Sequence, residues 1–547
     1  MTELDTKNQH QNCDHQIREG ATLNNSQAHQ NDHTNWSRRS FLTSLGLTAV
    51  GGMLMAGSNP LRVLAGSPIL NALAASPANR TLVIIRLDGG NDGLNTIIPR
   101  GNSYYYNARP NIAITEANLS PLTTDVGINK AMDALLPLWN EGKMAVMQSV
   151  GYPSQNYSHF RSSDIWATAS DSDTEWHTGW LGRTLANEFP LMSEAPPTVP
   201  PAIEIGLNSS LSFAHDTSGY MSLAVYDMVS FYRLAQTGQL WDTSNLADCE
   251  YGDEQKFMRQ MYNNSYRYAD NIKKTYEKTV NTANYPNSTL ARQMAAVARL
   301  IKGRLGTKVY MVSIGGFDTH VNQVGAHETL LSRIAESVKA FFDDLNADQE
   351  VADNTLVMTI SEFGRRLPQN GTAGTDHSSA APVLMWGNGV IGGVKGNLAD
   401  LNIPYYAEPT FTLDFRTIYA AVLKNWFCLN PVLVDYVFQQ HFDPTPNLLP
   451  DCSNNYTDNP AVLMGHNPNA TYSAMEIKFG LMYKGQVTIS ILNPQGQKLA
   501  TILSELKEAG SYTVTFNRMP YGLPPGDYLY RIEAGGKAYT RKIGYLF

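Results

Sequence analysis

Cysteine is scarce in this chain of 547 residues: Cys13, Cys249, Cys428 and Cys452 are its complement. No two of them have the spacing of a zinc-binding pair, which excludes a structural zinc held by thiolates. Cys428 and Cys452 flank a loop-rich stretch and admit two readings, a disulfide in an exported protein or two buried thiols. Positive charge is also short. With 41 Lys and Arg against 49 Asp and Glu, a net charge of −8, the chain lacks the basic surface that a nucleic-acid partner requires. The most apolar N-terminal run, residues 45–57, is too short and too rich in glycine to span a membrane comfortably. Glycines follow the first strong strand, but not with G-x-G-x-x-G spacing, so a dinucleotide cofactor is not indicated.

What is present begins with a polar leader. Residues 1–36 are rich in Asn, Gln, His and Thr with no apolar period, and a disordered, solvated tail is expected there. Ser37-Arg38-Arg39-Ser40-Phe41-Leu42 and the mild apolar run after it have the pattern of a twin-arginine export signal over 37–76. Ala72-Leu73-Ala74 offers a cleavage site. The pattern predicts the twin-arginine translocase as a partner and export of an already folded protein across the inner membrane.

Residues 77–450 read as one α/β domain. The run at 81–87 is apolar almost throughout, as in strands buried on both faces. Further strands are expected at 144–149, 202–206, 307–311, 355–360 and 381–386. Helices are expected at 131–141, 253–282, 288–304, 325–346 and 412–426. The alternation of strand, helix and strand across 307–360 predicts a doubly wound, mainly parallel sheet. Residues 171–250, rich in Trp, Pro and Ser, read as loops and a cap over the site.

In such sheets, sites form beyond the carboxyl ends of strands. Asp318 and His320 follow one strand with alternate spacing, Glu362 ends the next, and Asp376-His377 precedes a third buried run. These are hard and borderline donors suited to a divalent cation. Asp88 and Asp92 in the glycine turn after the first strand read either as further ligands or as loop caps. Ser158-His159 falls at a helix start, where the helix dipole favours an anion and a hydroxyl nucleophile would be useful. Ser158 equally suits a plain N-cap.

From 451 to 469 the chain turns rich in Asn, Pro and Asp and reads as a linker. After it, residues 470–547 alternate apolar and polar positions between turns, the pattern of a small antiparallel β-sandwich.

Leu87-Asp88-Gly89-Gly90-Asn91-Asp92, Tyr157-Ser158-His159-Phe160, Gly315-Gly316-Phe317-Asp318-Thr319-His320, Ser361-Glu362-Phe363-Gly364-Arg365 and Thr375-Asp376-His377 occur in this order. Together they resemble a twin-arginine-exported family of unknown function within the alkaline-phosphatase/sulfatase-like superfamily, over roughly 37–445. The resemblance implies an alkaline-phosphatase-like fold and a metal at Asp92 or Asp88, with Ser158 as nucleophile. It also implies Asp318 and His320 on one ion and Glu362 and His377 completing the site. Glu362-Phe363 stands where such phosphatases often carry Asp-His, which implies a depleted second metal position. No Cys/Ser-x-Pro-x-Arg sequence is present, so formylglycine chemistry is not implied. The tail, from Val487-Thr488-Ile489 to Thr540-Arg541-Lys542, resembles type IX secretion sorting domains and the Ig-like modules of hook-capping proteins. That implies the type IX machinery as a partner and delivery from the periplasm to the cell surface or beyond.

The expected function is a metal-dependent hydrolase of phosphate or sulfate esters, on a small anionic molecule or a polysaccharide. Ser158, His159 and Arg365 would be catalytic, with Arg365 or Arg161 neutralising charge on the substrate. Asp88, Asp92, Asp318, His320, Glu362, Asp376 and His377 would hold one or two ions. Zinc is the first choice, with calcium, magnesium or manganese as alternatives. A non-catalytic surface protein on the same fold is the alternative, and a polysaccharide lyase or esterase a third reading.

Overall fold

Near-continuous apolar runs alternating with amphipathic helices demand a sheet covered on both faces. The computed structural model describes residues 80–546 apart from 190–196, 207–208, 216–218, 227–230, 232–240, 243–249, 405–406, 453–460, 469–473 and 482. The leader (1–36), the export-signal region (37–76) and much of the expected linker lie outside the described residues.

The main sheet contains β1 (Thr81–Asp88), β2 (Met144–Gly151), β3 (Ala202–Ile205), β4 (Ser222–Val225), β5 (Val309–Gly315), β6 (Thr355–Ser361), β7 (Ala381–Trp386) and β8 (Gly393–Lys395). Their order is β8-β2-β7-β6-β1-β5-β3-β4, with Leu413–Asp414 added beside β2. β1 is central and parallel to both neighbours, Leu82 lying opposite Val309 and Leu356. Residues 171–250 are therefore more than a cap, because β3 and β4 extend the sheet in parallel.

The helices that matter here are α1 (His159–Thr168), α2 (Thr289–Lys302), α3 (Gln323–Leu345) and α4 (Phe415–Ala421). Side chains alternate across the sheet. Val83, Ile85 and Leu87 face α2 and α3 through Val297, Leu331 and Val338. Leu82 and Ile84 face α1 and α4 through Ile165, Trp166, Ile418 and Tyr419. Each such side chain removed from water contributes about 1.5–3 kcal/mol, so both layers hold the sheet rigid. The helix expected over 131–141 is split into a 3-10 turn, Lys130–Leu135, and a short helix, Leu136–Asn140, because Pro137 suits a helix start and not an interior.

The direction of β7 locates the site. It is antiparallel to β6 and to β2, with Ala381 opposite Val150. Its amino end therefore shares a rim with the carboxyl ends of β1, β2, β5 and β6. The loops after those four strands meet the loop before β7 on one edge.

The C-terminal sandwich has a three-stranded sheet (Ala461–Pro468, Ala474–Leu481, Gly510–Asn517) and a four-stranded one (Lys498–Lys507, Gly485–Leu492, Gly526–Ala534, Lys537–Leu546). Ile477 and Phe479 of one pack with Ile489, Ile491 and Ile532 of the other. Residues 451–469 are thus not linker throughout. Ala461–Pro468 is a strand whose register breaks between Leu463 and Gly465, and that irregularity hides its alternation. Of the two readings for the cysteines, the disulfide is the one found, joining Cys428 and Cys452. Among the described residues no helix is long and apolar enough to cross a membrane.

Candidate metal centre

The rim loops pack so closely that side chains are excluded at two points. Gly89, at φ 120°, would place a Cβ 2.3 Å from the Asp318 amide nitrogen. A Cβ on Gly374 would lie 2.2 Å from the His320 carbonyl. The backbone closes the same seams, Phe317 N donating to Asp88 O at 3.1 Å and Thr375 N to Thr319 O at 3.2 Å. Glycine at these turns is what lets the loops after β1 and β5 and the loop before β7 converge.

Three imidazoles surround Asp318, and each is held from behind in the same manner. His159 Nδ1 lies 2.9 Å from Glu362 Oε1. His320 Nδ1 lies 3.1 Å from Asp376 Oδ1. His377 Nδ1 lies 3.0 Å from the Tyr157 carbonyl. Carbonyls and carboxylates accept, so each Nδ1 carries a proton and each ring turns its Nε2 the other way. Those Nε2 atoms all face Asp318: His320 at 3.0 Å and His377 at 3.2 Å from Oδ1, His159 at 3.7 Å from Oδ2. The Phe363 ring, buried, packs at a tilt with its centroid 4.3 Å from that of His377 and 4.9 Å from that of His159.

The arrangement concentrates acceptors. Asp318 Oδ1, His320 Nε2 and His377 Nε2 lie within 3.2 Å of one another, the two ring nitrogens 3.0 Å apart. Ligand atoms of His159, Asp318 and His377 all fall within 4.8 Å of one another. Burial raises the Asp318 carboxyl, but hydrogen bonds from Arg365 and His377 outweigh it and hold the group at about 2. His377 is pushed below the usual imidazole range by burial first, then by Arg365 and His159, against the pull of Asp318. A carboxylate ringed by imidazole nitrogens is a donor set that a divalent cation takes.

Other expected site residues fall elsewhere. Asp92 is not in the cluster. It is fully buried, paired with Arg109 at 2.7 Å and bonded by Gln323 Nε2. Burial raises its pKa, but Arg109, His327 and Gln323 together bring it below the carboxylate norm. A guanidinium already neutralises it, so it is a structural acid. Asp88 pairs with Arg86 at 2.5 Å and is likewise not in the cluster. Glu362 and Asp376 orient histidines and do not join the facing set. Glu362 Oε1 accepts from Gly89 N at 2.7 Å as well as from His159. His159, expected to be catalytic, stands with Asp318 and His377 among the side chains that could hold an ion. A carboxylate behind an imidazole is the carboxylate–histidine–metal pattern.

Arg365 is taken up by the rim loops themselves. Its guanidinium, buried, donates to the carbonyls of Gly90 at 2.9 Å, Thr375 at 2.8 Å, Phe317 at 3.1 Å and Gly89 and to Asp318 at 2.6 Å, with Nη1 also 3.4 Å from His320 Nε2. It ties three loops together and aims Asp318. Arg161 is spent in the same way on the carbonyls of Asp171, Ser172 and Thr174. Ser158 is the N-cap residue of α1 but its side chain makes no capping bond. It is exposed and sits between Tyr157, whose carbonyl holds His377, and His159. Residues with no local signal complete the setting: Tyr157, Asn370, which donates to Asp376 and to the His320 carbonyl, and the Arg109–Gln323 network beneath.

The chain belongs to a family described as protein of unknown function (DUF1501), whose family model matches residues 79–422. Comparison with curated proteins finds no match. Solved structures that align with it include a mutant alkaline phosphatase of the Antarctic bacterium TAB5 with magnesium bound, 10% identical, with 58% of this chain and 92% of that one covered at a TM-score of 0.26. The PsFucS1 sulfatase of a Pseudoalteromonas species is 12% identical, with 83% and 87% covered at 0.29. The lipoteichoic acid synthase LtaP of Listeria monocytogenes is 8% identical, with 63% and 70% covered at 0.25. At these scores the likenesses carry no argument, and the reading below rests on the geometry.

Proposed function

We propose that this chain is an exported, metal-dependent hydrolase of phosphate or sulfate esters, with His159, His320, His377 and Asp318 holding the ion. One observation carries the reading: three histidines, each with Nδ1 engaged by an acceptor, turn Nε2 toward one ionised carboxylate. Imidazole-rich sites of this kind suit zinc ahead of calcium or magnesium, which favour oxygen donors.

The residues divide the work. Glu362, Asp376 and the Tyr157 carbonyl keep the Nδ1 protons in place, so each ring presents a lone pair inward. Arg365 fixes Asp318 without reaching a substrate. Ser158 sits at the uncapped start of α1, where first-turn amides and the helix dipole favour an anionic group, and supplies the hydroxyl for attack. A bound divalent cation would polarise the ester oxygen and lower the pKa of a hydroxyl or water beside it. Delivery by the twin-arginine translocase, with the sandwich as a type IX sorting signal, belongs to the same proposal. It is supported by the Arg38-Arg39 segment and by the sandwich at the C-terminal end.

A second reading, a surface protein that binds a metal without turnover, is favoured by one observation. Arg365 and Arg161 are both committed to carbonyls and not to a developing charge. Metal analysis of purified protein with an aryl phosphate and aryl sulfate screen separates the two. The hydrolase reading expects bound metal and activity that is lost in Asp318→Ala, with metal retained but activity lost in Ser158→Ala. Tight metal with no turnover on either ester supports the second reading, and absence of metal ends both.

A further inference from the structure

We infer that Gln323 is the positioning residue of this metal centre: one buried carboxamide sets the spacing between the loop carrying Asp318 and His320 and the loop carrying Asp376 and His377. The inference rests on the metal reading above. Gln323 is the first residue of α3 and is fully buried. Its Nε2 donates to Asp92 Oδ2. Its Oε1 accepts from Thr319 Oγ1 at 3.1 Å and from Thr375 Oγ1 at 2.6 Å. Thr319 lies between Asp318 and His320, and Thr375 immediately precedes Asp376-His377.

The orientation of the amide is forced. Asp92 is an ionised carboxylate beside Arg109 and accepts only, so the NH2 group must face it. The carbonyl is left for the two threonine hydroxyls, which can each donate. Backbone bonds run along the same seam, Gln323 N to Ala373 O at 2.9 Å and Asn322 N to Thr372 O at 2.9 Å. Arg109 in turn ties Asp92 to Asn95 Oδ1 at 2.7 Å and to the Leu367 carbonyl at 2.8 Å. The centre is therefore built on a sealed polar layer, and Gln323 is the member of that layer that touches both ligand-bearing loops. An apolar side chain there strands two hydroxyls and leaves Asp92 short of a donor in a site where its Oδ1 already has none. A glutamate would set carboxylate against carboxylate.

The test is a cobalt(II) titration of the full chain, read by the visible d–d absorption of the bound ion. Gln323→Leu is expected to weaken cobalt binding by about tenfold to a hundredfold and to alter the band, because the ligands no longer meet at their native spacing. Thr375→Val, which removes one hydroxyl, is expected to move both in the same direction by less. A purely structural role would lower the melting temperature and leave affinity and band unchanged in the folded protein. Folded Gln323→Leu that binds cobalt with native affinity and spectrum overturns the inference. If that variant does not fold, Thr375→Val decides in its place, native affinity and band overturning it and weaker binding with an altered band supporting it. Failure of the unaltered chain to bind cobalt overturns the metal reading itself and this inference with it.

Discussion

Asp92 and Asp318 each follow a glycine turn at the end of a parallel strand, and each faces an arginine, yet they do different work. Asp92 and Arg109 are both wholly buried, 2.7 Å apart. Asp318 is about half exposed, and its partner Arg365 is buried and already bound to four carbonyls. At Asp92 the other bonded neighbour is the Gln323 amide, a donor, so the charge is compensated from within the protein. At Asp318 the other neighbours are the Nε2 atoms of His159, His320 and His377, groups that can also turn toward an ion. A carboxylate's part is set by the company it keeps, and one fold seals one of these acids against arginine and leaves the other among imidazoles.

The sharpest way to break this contrast is to remove one partner from each. Arg109→Met leaves a buried carboxylate uncompensated and should cost about 3–5 kcal/mol, read as the shift in urea-unfolding free energy. Asp318→Asn, in metal-free protein, should cost under about 1 kcal/mol, because Arg365 keeps its carbonyl acceptors and the site faces solvent. Equal losses in the two variants would erase the distinction. A middle-sized effect is expected from Glu362→Gln, which weakens the hold on the His159 Nδ1 proton. Zinc affinity, measured by chelator competition, should fall about tenfold while the melting temperature of the metal-free protein changes little. Unchanged affinity would return Glu362 to a purely structural part.

The smallest effect concerns a third carboxylate, Glu204 on β3, which has burial without a bonded cation. Burial pushes its pKa up to about 7, although Ser222 and the Ser210 amide donate to it and Arg86 lies near enough to draw it down. A carboxyl raised in the folded state contributes stability that is full below its unfolded value of 4.5 and is lost as pH rises through about 7. Glu204→Gln should therefore narrow the stability difference between pH 5 and pH 8, followed by thermal unfolding at both. An unchanged difference would show that Glu204 does not titrate in this window.

Much of the scaffold was readable from residues. The run at 81–87 is apolar almost throughout because both faces of β1 are covered, and β6 and β7 were legible for the same reason. The approach of Asp318, His320 and His377 was also legible, since each stands beside a strand end. The assignment of roles was not. Asp92 and Asp318 look alike in one dimension, and only burial beside Arg109 separates them. That His159 stands nearer Asp318, with Glu362 behind it, was not legible, because spacing shows which residues arrive and not which of them stands in front. Gln323 and Tyr157 gave no local signal, since one acts through two threonines and the other through a backbone carbonyl. In the sandwich, Ala461–Pro468 was obscured by its own register break.

By itself, then, the order of residues determined a mainly parallel α/β sheet, the rim at which its loops would gather, and the supply of carboxylate and imidazole there. Those follow from the period of apolar side chains and the chain reversals that glycine permits. Only the tertiary structure decided which acids are sealed against arginines and which face the imidazoles, and which nitrogen of each histidine is free to bind. Exposure and hydrogen-bond partners are set by segments far apart in the chain, and no local pattern encodes them.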